Sequence, residues 1–507
     1  MAEWLNIADE DTVELISGHR SSRRSRNNYI PLDILDEEGQ GPVHKRPSFL
    51  STRTINKASV IPVLVTLVLI LLIGWAANRN EPSWALRSNG THQFWPTTIL
   101  ISLDGLHPHY ISESRTPYID MLVGKAAVAP YMTPSFPSQT FPNHWTLVTG
   151  LYPGNHGIIG NNFHDEKLGE FHHVNYENLS SHFWGGEPIW ATAKRQKRIS
   201  AVHMWPGSSF THDKPASSAD YVEPFNANET LSDKVANIFS YLDRPVKSRP
   251  QLILSYVPEI DTTGHESGIA GKQILQSLSH IDDFVADIYT NLERRHLEDI
   301  VNVVIVSDHG MAPTSDDRLL FIDDYFDESL LAHRTAWPSY GIWLKEDAMN
   351  TRIKVNLTHS VPSNLATVYD SDTFPEHWHF SRSMTYGERI APIYIVPQVG
   401  YSILTHEEYS RENYHYPLKG VHGYNPNHPL MRAFFLATGP GIHPGMYEPF
   451  ENVNIYPLLC KLLQIRPAKI DGKPDFKRLN TTGYKEEYPG ELSFEIDYLR
   501  NSTFANL

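Results

Sequence analysis

The chain has 507 residues, 40% hydrophobic and 20% charged, a composition that fits a folded protein with a sizeable core and excludes wholesale disorder. Its formal net charge of -15 excludes a nonspecific nucleic-acid binder, which needs basic charge against phosphates, so no stable nucleic-acid complex is expected. Cys460 is the only cysteine, which excludes an internal disulfide, and its setting in "YPLLCKLL" marks a buried structural thiol in an apolar helix.

Residues 1–57 form a polar tail with too few apolar residues for a core and are expected to be disordered. Within it, "DTVELI" resembles an acidic dileucine sorting signal, a hint of a vacuole-like or lysosome-like route against the cell surface as the simpler destination. Residues 58–77, "ASVIPVLVTLVLILLIGWAA", carry no charge. As a helix this run spans about 30 Å, the hydrocarbon thickness of a bilayer, and it predicts a transmembrane helix. Lys45, Arg46, Arg53 and Lys57 precede it, so the positive-inside rule puts the N-terminus in the cytoplasm. Asn-X-Ser/Thr acceptors at Asn89, Asn178, Asn228, Asn356, Asn480 and Asn501 all follow the helix and none precedes it. The expectation is a single-pass type II membrane protein whose catalytic part is extracellular or lumenal, glycosylated at those six positions.

Residues 78–94 read as a linker, 95–485 as a catalytic domain and 486–507 as a C-terminal extension. Three apolar runs in the domain end in acids: "TTILISLDG" at Asp104, "QLILSYVPEID" near Asp261 and "VNVVIVSDHGM" at Asp308-His309. Helical patterns such as "LSDKVANIFSYLD" and "GKQILQSLSHIDDFVADIYTNLERR" separate them. Buried strands alternating with helices predict an α/β fold with a mostly parallel sheet, and ligands in such sheets bind at the carboxyl ends of the strands.

Taken singly, each acid could be a turn or cap residue. Together, Asp104, Asp261, His265, Asp308, His309 and His422 supply three carboxylates and three imidazoles. Asp261 and His265 lie four apart, so both can reach one point, and His422 in "KGVHGYNP" is flanked by glycines that allow close backbone packing. Oxygen and nitrogen donors without thiolate suit Zn²⁺, with Mn²⁺ or Mg²⁺ as weaker candidates, and their number suits two ions. That gives Thr140, in "TPSFPSQTFPNHWTLVTG", a role: a divalent cation lowers the pKa of a hydroxyl and makes it a nucleophile. Two Zn²⁺ against three aspartates leave net positive charge, which favours a phosphate anion even in an acidic protein.

The motifs "LISLDG", "FPSQTFPNHWTLVTGLYPGNHGIIGNNFHD", "GEPIWATA", "WPGS", "EIDTTGHESG", "VSDHGM" and "GVHGY" occur in the order seen in nucleotide pyrophosphatase/phosphodiesterases, a family of the alkaline phosphatase superfamily. The chain resembles that family from about Trp95 to Ile470, and its fungal membrane-bound members in particular. The resemblance implies an alkaline-phosphatase-like core preceded by one transmembrane helix. It implies Thr140 as the nucleophile that forms a covalent nucleotidyl-threonine, with Asp104, Thr140, Asp308 and His309 around one zinc and Asp261, His265 and His422 around the other. It makes Asn161 the amide that donates to a phosphoryl oxygen, a neutral group suited to a diester and predicting weak activity on monoesters. Phe141, Trp205 and Phe225 match positions of an aromatic nucleoside pocket, which would read base identity weakly. The implied reaction is hydrolysis of nucleotide phosphodiester and pyrophosphate bonds, for instance a nucleoside triphosphate to a nucleoside 5′-monophosphate and pyrophosphate, with dinucleotides as further substrates. The chain departs from animal relatives in lacking their disulfides and in carrying Asn162 and Asn178 where they carry lysines near the base and ribose. Two other readings remain open: a lipid or choline phosphodiesterase with the same metals, and a non-catalytic membrane receptor.

Overall fold

In the computed structural model the described residues are 84–174, 179–209, 217–335 and 337–479, together with residues 65, 66, 68 and 69. Those last four are helical and belong to a separate unit, residues 1–81. Most of the expected membrane segment, the N-terminal tail, the expected C-terminal extension and the sequons at Asn178, Asn480 and Asn501 lie outside the described residues. Among the described residues no helix is long and apolar enough to cross a membrane.

The three apolar runs become strands because each is β-branched and aliphatic on both faces, which suits a sheet covered by helices on either side. Numbering the central sheet in chain order, β1 is Thr97–Leu103, β2 Ala127–Val128, β3 Ser200–His203, β4 Tyr221–Glu223, β5 Leu252–Val257, β6 Val301–Val306, β7 Phe435–Thr438 and β8 Gly445–Met446. Every residue of β1, β5 and β6 is buried. Among the described residues the sheet order is β8-β2-β7-β6-β1-β5-β3-β4. β6, β1, β5, β3 and β4 run parallel, and β7 enters antiparallel to β6 and β2.

Register decides where the chemistry falls. Leu103 pairs with Val257, and Ser102 with Val306, so the three acid-bearing turns leave adjacent strands at the same edge. Thr140 opens helix α1, Thr140–Thr149, which ends at Gly150 with φ 67°. Helix α2, Leu231–Leu242, starts in a Thr230–Asp233 capping box. Helix α3, Glu259–Ser267, carries Asp261 and His265 four apart, and α4 is Lys272–Arg294. Helix α5, Ile455–Leu462, buries Cys460, whose thiol burial pushes up to about 12, an inert group. A second sheet is antiparallel, in the order Leu331–Thr335, Tyr340–Leu344, Ile393–Pro397, Ala366–Asp370, over its own apolar core around Ile342, Ile393 and Ile395.

One boundary moves. The expected linker is folded from Trp84 onward: Arg87–Ser88 pairs with Gln93–Phe94, and Trp84 stacks on Trp95 at 5.9 Å under the Arg198 guanidinium. Arg87 and Asn89 donate to the carbonyls of Asp299 and Arg295, anchoring the hairpin on the domain. Two tryptophans and an arginine supply the apolar area that a polar linker would lack.

Candidate active site

The site grows from the turns that end β1, β5 and β6. Gly105 follows Asp104 with φ 70°, and a Cβ there would lie 3.1 Å from the Asp261 Cα, so glycine lets two acid-bearing turns touch. Its N–H donates to Asp308 Oδ1 at 3.2 Å. Tyr256, at the end of β5, donates to Asp104 Oδ2 at 2.6 Å.

The three histidines share one arrangement. His265 Nδ1 lies 2.8 Å from the Gly420 carbonyl, His422 Nδ1 3.0 Å from that of Ser138, and His309 Nδ1 2.9 Å from that of Gly310. A carbonyl only accepts, so each Nδ1 carries the proton and each Nε2 presents its lone pair. Those Nε2 atoms converge: His422 and His265 are 3.1 Å apart, and each is 3.5 Å from an Asp261 oxygen. His309 Nε2 is 3.0 Å from Asp308 Oδ2, 3.5 Å from Asp104 Oδ1 and 3.3 Å from Thr140 Oγ1.

The donors fit metal ions. Asp104 Oδ1, Asp261 Oδ1 and Asp308 Oδ2 are buried without a hydrogen-bond partner, which would be costly for three acceptors left unfilled. Burial, then the charges of Asp308 and Asp261, pushes the Asp104 carboxyl well above its ordinary range. Burial, then His309 and His265, holds His422 well below its own. Burial works against the charge on Asp308, but His309 and His144 outweigh it and keep that carboxyl low. Crowded acids facing imidazole lone pairs are the electrostatic setting that a divalent cation relieves.

Ligand-sized groupings place Asp261 with His309 and His422, and Asp104 with His144 and Asp308. His309 therefore stands between the two sets and reaches donors of both. His144, absent from the motif reading, is not free to ligate: Nδ1 is 2.8 Å from the Thr140 carbonyl and 3.3 Å from Asp308, and Nε2 is 2.8 Å from Ser102 Oγ. It ties the first turn of α1 to Ser102 of β1, with its ring beside Asp308. The visible signal was its position, four residues after Thr140 on the same helix face. Gln139 was also missed; its side chain accepts from the Asn161 N–H at 2.7 Å and donates to the Trp337 carbonyl.

Asn161 Oδ1 accepts the Phe141 N–H at 3.0 Å, which leaves its amide nitrogen as the donor end beside the first turn of α1. Phe141 is half-buried, with Phe171, His173 and Trp184 around its ring. Phe225 is 39% exposed and sits 6.3 Å from the Tyr256 ring, so an open aromatic face stands next to the Asp104 turn. Trp205 departs from the pocket expectation. It is 2% exposed, packs edge-on to His144 and donates to the His144 carbonyl, so it backs α1 and offers no open stacking face. Asn162 is half-buried, 3.3 Å from His173.

The donor set is of the kind divalent metal ions take, gathered where the parallel strands end. Residues 98–425 match the family described as type I phosphodiesterase/nucleotide pyrophosphatase. An uncharacterised pyrophosphatase/phosphodiesterase of Schizosaccharomyces pombe is 39% identical over 75% of this chain and 79% of its own length. Ectonucleotide pyrophosphatase/phosphodiesterase 1 of Saccharomyces cerevisiae is 35% identical over 74% of this chain and 57% of its own length. Among solved structures, murine ectonucleotide pyrophosphatase/phosphodiesterase 5, in an inactive threonine-to-alanine form complexed with AMP, superposes with a TM-score of 0.67 at 29% identity, covering 74% of this chain and 97% of that one. The chain belongs to the type I phosphodiesterase/nucleotide pyrophosphatase family and is an enzyme of that class.

Proposed function

We propose that this enzyme cleaves nucleotide phosphodiester and pyrophosphate bonds through a covalent nucleotidyl-threonine on Thr140, with two Zn²⁺ as cofactors. The observation that carries the reading is Thr140 Oγ1 at the first position of α1, 3.3 Å from His309 Nε2, beside three buried carboxylate oxygens that have no hydrogen-bond partner. When bound, the ions would lower the pKa of the Thr140 hydroxyl and neutralise charge developing on the phosphoryl group. Asp104, Asp308 and His309 would hold one ion next to Thr140, and Asp261, His265 and His422 the other. Thr140 gives up its hydroxyl proton to solvent, and its Oγ forms the new P–O bond while the leaving oxygen departs in line with its electron pair. The N-terminal end of α1 favours the anionic phosphoryl group. Asn161 donates its amide to a non-bridging oxygen. Water then attacks phosphorus from the side the leaving group vacated, Thr140 Oγ departs and takes up a proton in place of the one the water loses, and a nucleoside 5′-monophosphate is released. Phe141, with Phe225 as the exposed partner, stacks the base.

The nucleotide assignment is supported by the murine neighbour solved with AMP and by the family's own description. Its test compares hydrolysis of the p-nitrophenyl ester of TMP with p-nitrophenyl phosphate and p-nitrophenyl phosphorylcholine, with and without chelator. Fast, chelator-sensitive cleavage of the TMP ester is expected, with little on the monoester. A preference for the phosphorylcholine ester would keep the metals and overturn the base pocket.

Residues 58–77 anchor the enzyme as a type II protein in this reading, with the domain from Trp84 onward outside the cytoplasm. Asn228 and Asn356 are exposed and open to glycosylation, whereas the Asn89 amide is held by the Arg295 carbonyl. Glycosidase treatment after protease protection of sealed microsomes, cytoplasmic face outward, is expected to show a protected, glycan-bearing domain. Full protease digestion of the domain in sealed microsomes, whose cytoplasmic face is outward, would reverse the topology.

A further inference from the structure

Away from the site above, the hairpin Asn162–Asp165 and Gly169–His172 places His164 directly across from Glu170. The edge strand of the second sheet, Leu331–Thr335, brings His333 to the same point. His164 Nδ1 lies 2.8 Å and His333 Nδ1 2.9 Å from the same Glu170 Oε1. The two imidazoles stack face to face, centroids 3.5 Å apart and 14° from parallel, with both Nδ1 atoms beside that oxygen.

We propose that His164, Glu170 and His333 form an additional divalent-metal site, for a borderline ion such as Zn²⁺, which ties the hairpin to the second sheet. Two histidines and a carboxylate are a donor set that Zn²⁺ takes, with water completing four-coordination. Donors about 2.0–2.2 Å from one ion are separated by about 2.8–3.6 Å for angles between a right angle and the tetrahedral value. The His–Glu distances fall at the short end of that range, so the ion needs only a small widening of the cluster. The side chains are 13%, 36% and 39% exposed for His164, Glu170 and His333, which leaves an entry path and room for the water. The three donors come from three strands, so the ion would cross-link elements that otherwise meet through side chains. Its target is well placed: the hairpin begins at the residue after Asn161 and ends at His172, next to the His173 ring that packs on Phe141. The proposal does not depend on the catalytic reading, because none of its three donors belongs to the catalytic set.

The competing account is an ion-free clamp in which both imidazoles donate to Glu170. Zinc binding to the full-length protein decides between them. Bound zinc is counted by elemental analysis after equilibration with saturating ZnCl₂, for the wild type, His333→Ala and Glu170→Gln. Zinc-edge anomalous diffraction then locates the ions. Glu170→Gln preserves the hydrogen-bonding shape and guards against a fold defect, and unchanged circular dichroism checks both variants. The expected result is an anomalous peak about 2.0–2.2 Å from His164 Nδ1, His333 Nδ1 and Glu170 Oε1, with one fewer zinc bound in each variant. Equal zinc content in all three proteins, or no peak at this position, would overturn the proposal and leave the ion-free clamp.

Discussion

At the scale of single residues, the site separates groups that act from groups that hold. Thr140 is the proposed nucleophile, and its removal leaves only binding and charge stabilisation. Thr140→Ala should lower kcat for the TMP ester by on the order of 10³-fold or more, with an unchanged melting temperature. Full-rate turnover in that variant would sink the covalent route. Tyr256 is buried, and its hydroxyl orients Asp104. Tyr256→Phe should therefore weaken metal retention about 10–100-fold in a chelator competition, with little change in KM. His144 also supports the site without ligating, since its two ring nitrogens are committed to Ser102 and the backbone of Thr140.

At the scale of elements, close backbone approach sets the geometry. A Cβ at Gly310 would lie 2.2 Å from the Leu430 carbonyl and 2.9 Å from the His107 ring, so the turn after His309 can close only around glycine. Gly310→Ala should shift His309, lower activity, and destabilise the fold by about 1–3 kcal/mol in a denaturant titration. The segment leading to Asn161 and its hairpin is pinned by a buried arginine. Arg389 pairs with Asp165 at 2.7 Å and donates to the carbonyls of Gly157 and Phe183. Arg389→Met should cost about 3–5 kcal/mol, because Asp165 would be left buried without its charged partner. A destabilisation below 1 kcal/mol would mean that the backbone N–H groups of Lys167 and Leu168 suffice for it.

At the scale of the whole molecule, buried titratable groups predict acid sensitivity. Burial holds His156 down to about 3, well under an ordinary histidine. Burial works against the charge on Asp165, but the N–H groups of Lys167 and Leu168 and then Arg389 outweigh it and lower that pKa. Both folded-state pKa values lie below their unfolded ones, so the unfolded chain binds more protons. Their stabilisation is complete above about pH 6.5 for His156 and above about pH 4 for Asp165, and is lost as pH falls toward the folded values. The melting temperature of metal-free protein should decline from pH 6.5 downward and more steeply below pH 4. A flat profile to pH 4 would show that His156 takes up its proton in the folded state. At neutral pH, metal removal should itself lower the melting temperature, since ions that bind only the folded chain stabilise it by mass action.

What the sequence determined by itself was the set of candidate ligands and the backbone that presents them. Continuous β-branched runs ending in Asp104, Asp261 and Asp308 make buried parallel strands with acids at their carboxyl ends, and this is legible because the pattern is local. The i, i+4 spacing of Asp261 and His265 and the buried thiol of Cys460 are local in the same way. Tertiary structure alone decided which strands are neighbours, and hence that β6, β1 and β5 bring the three acids together. It turned Trp205 into a wall behind α1, because an aromatic in a motif can face the pocket or the core and only packing chooses. It made Trp84 part of the domain through a stack on Trp95. It recruited His144, Tyr256 and Gln139 as supports, and it brought His333 to His164 and Glu170 across more than a hundred residues, through side-chain packing that leaves no trace in local spacing.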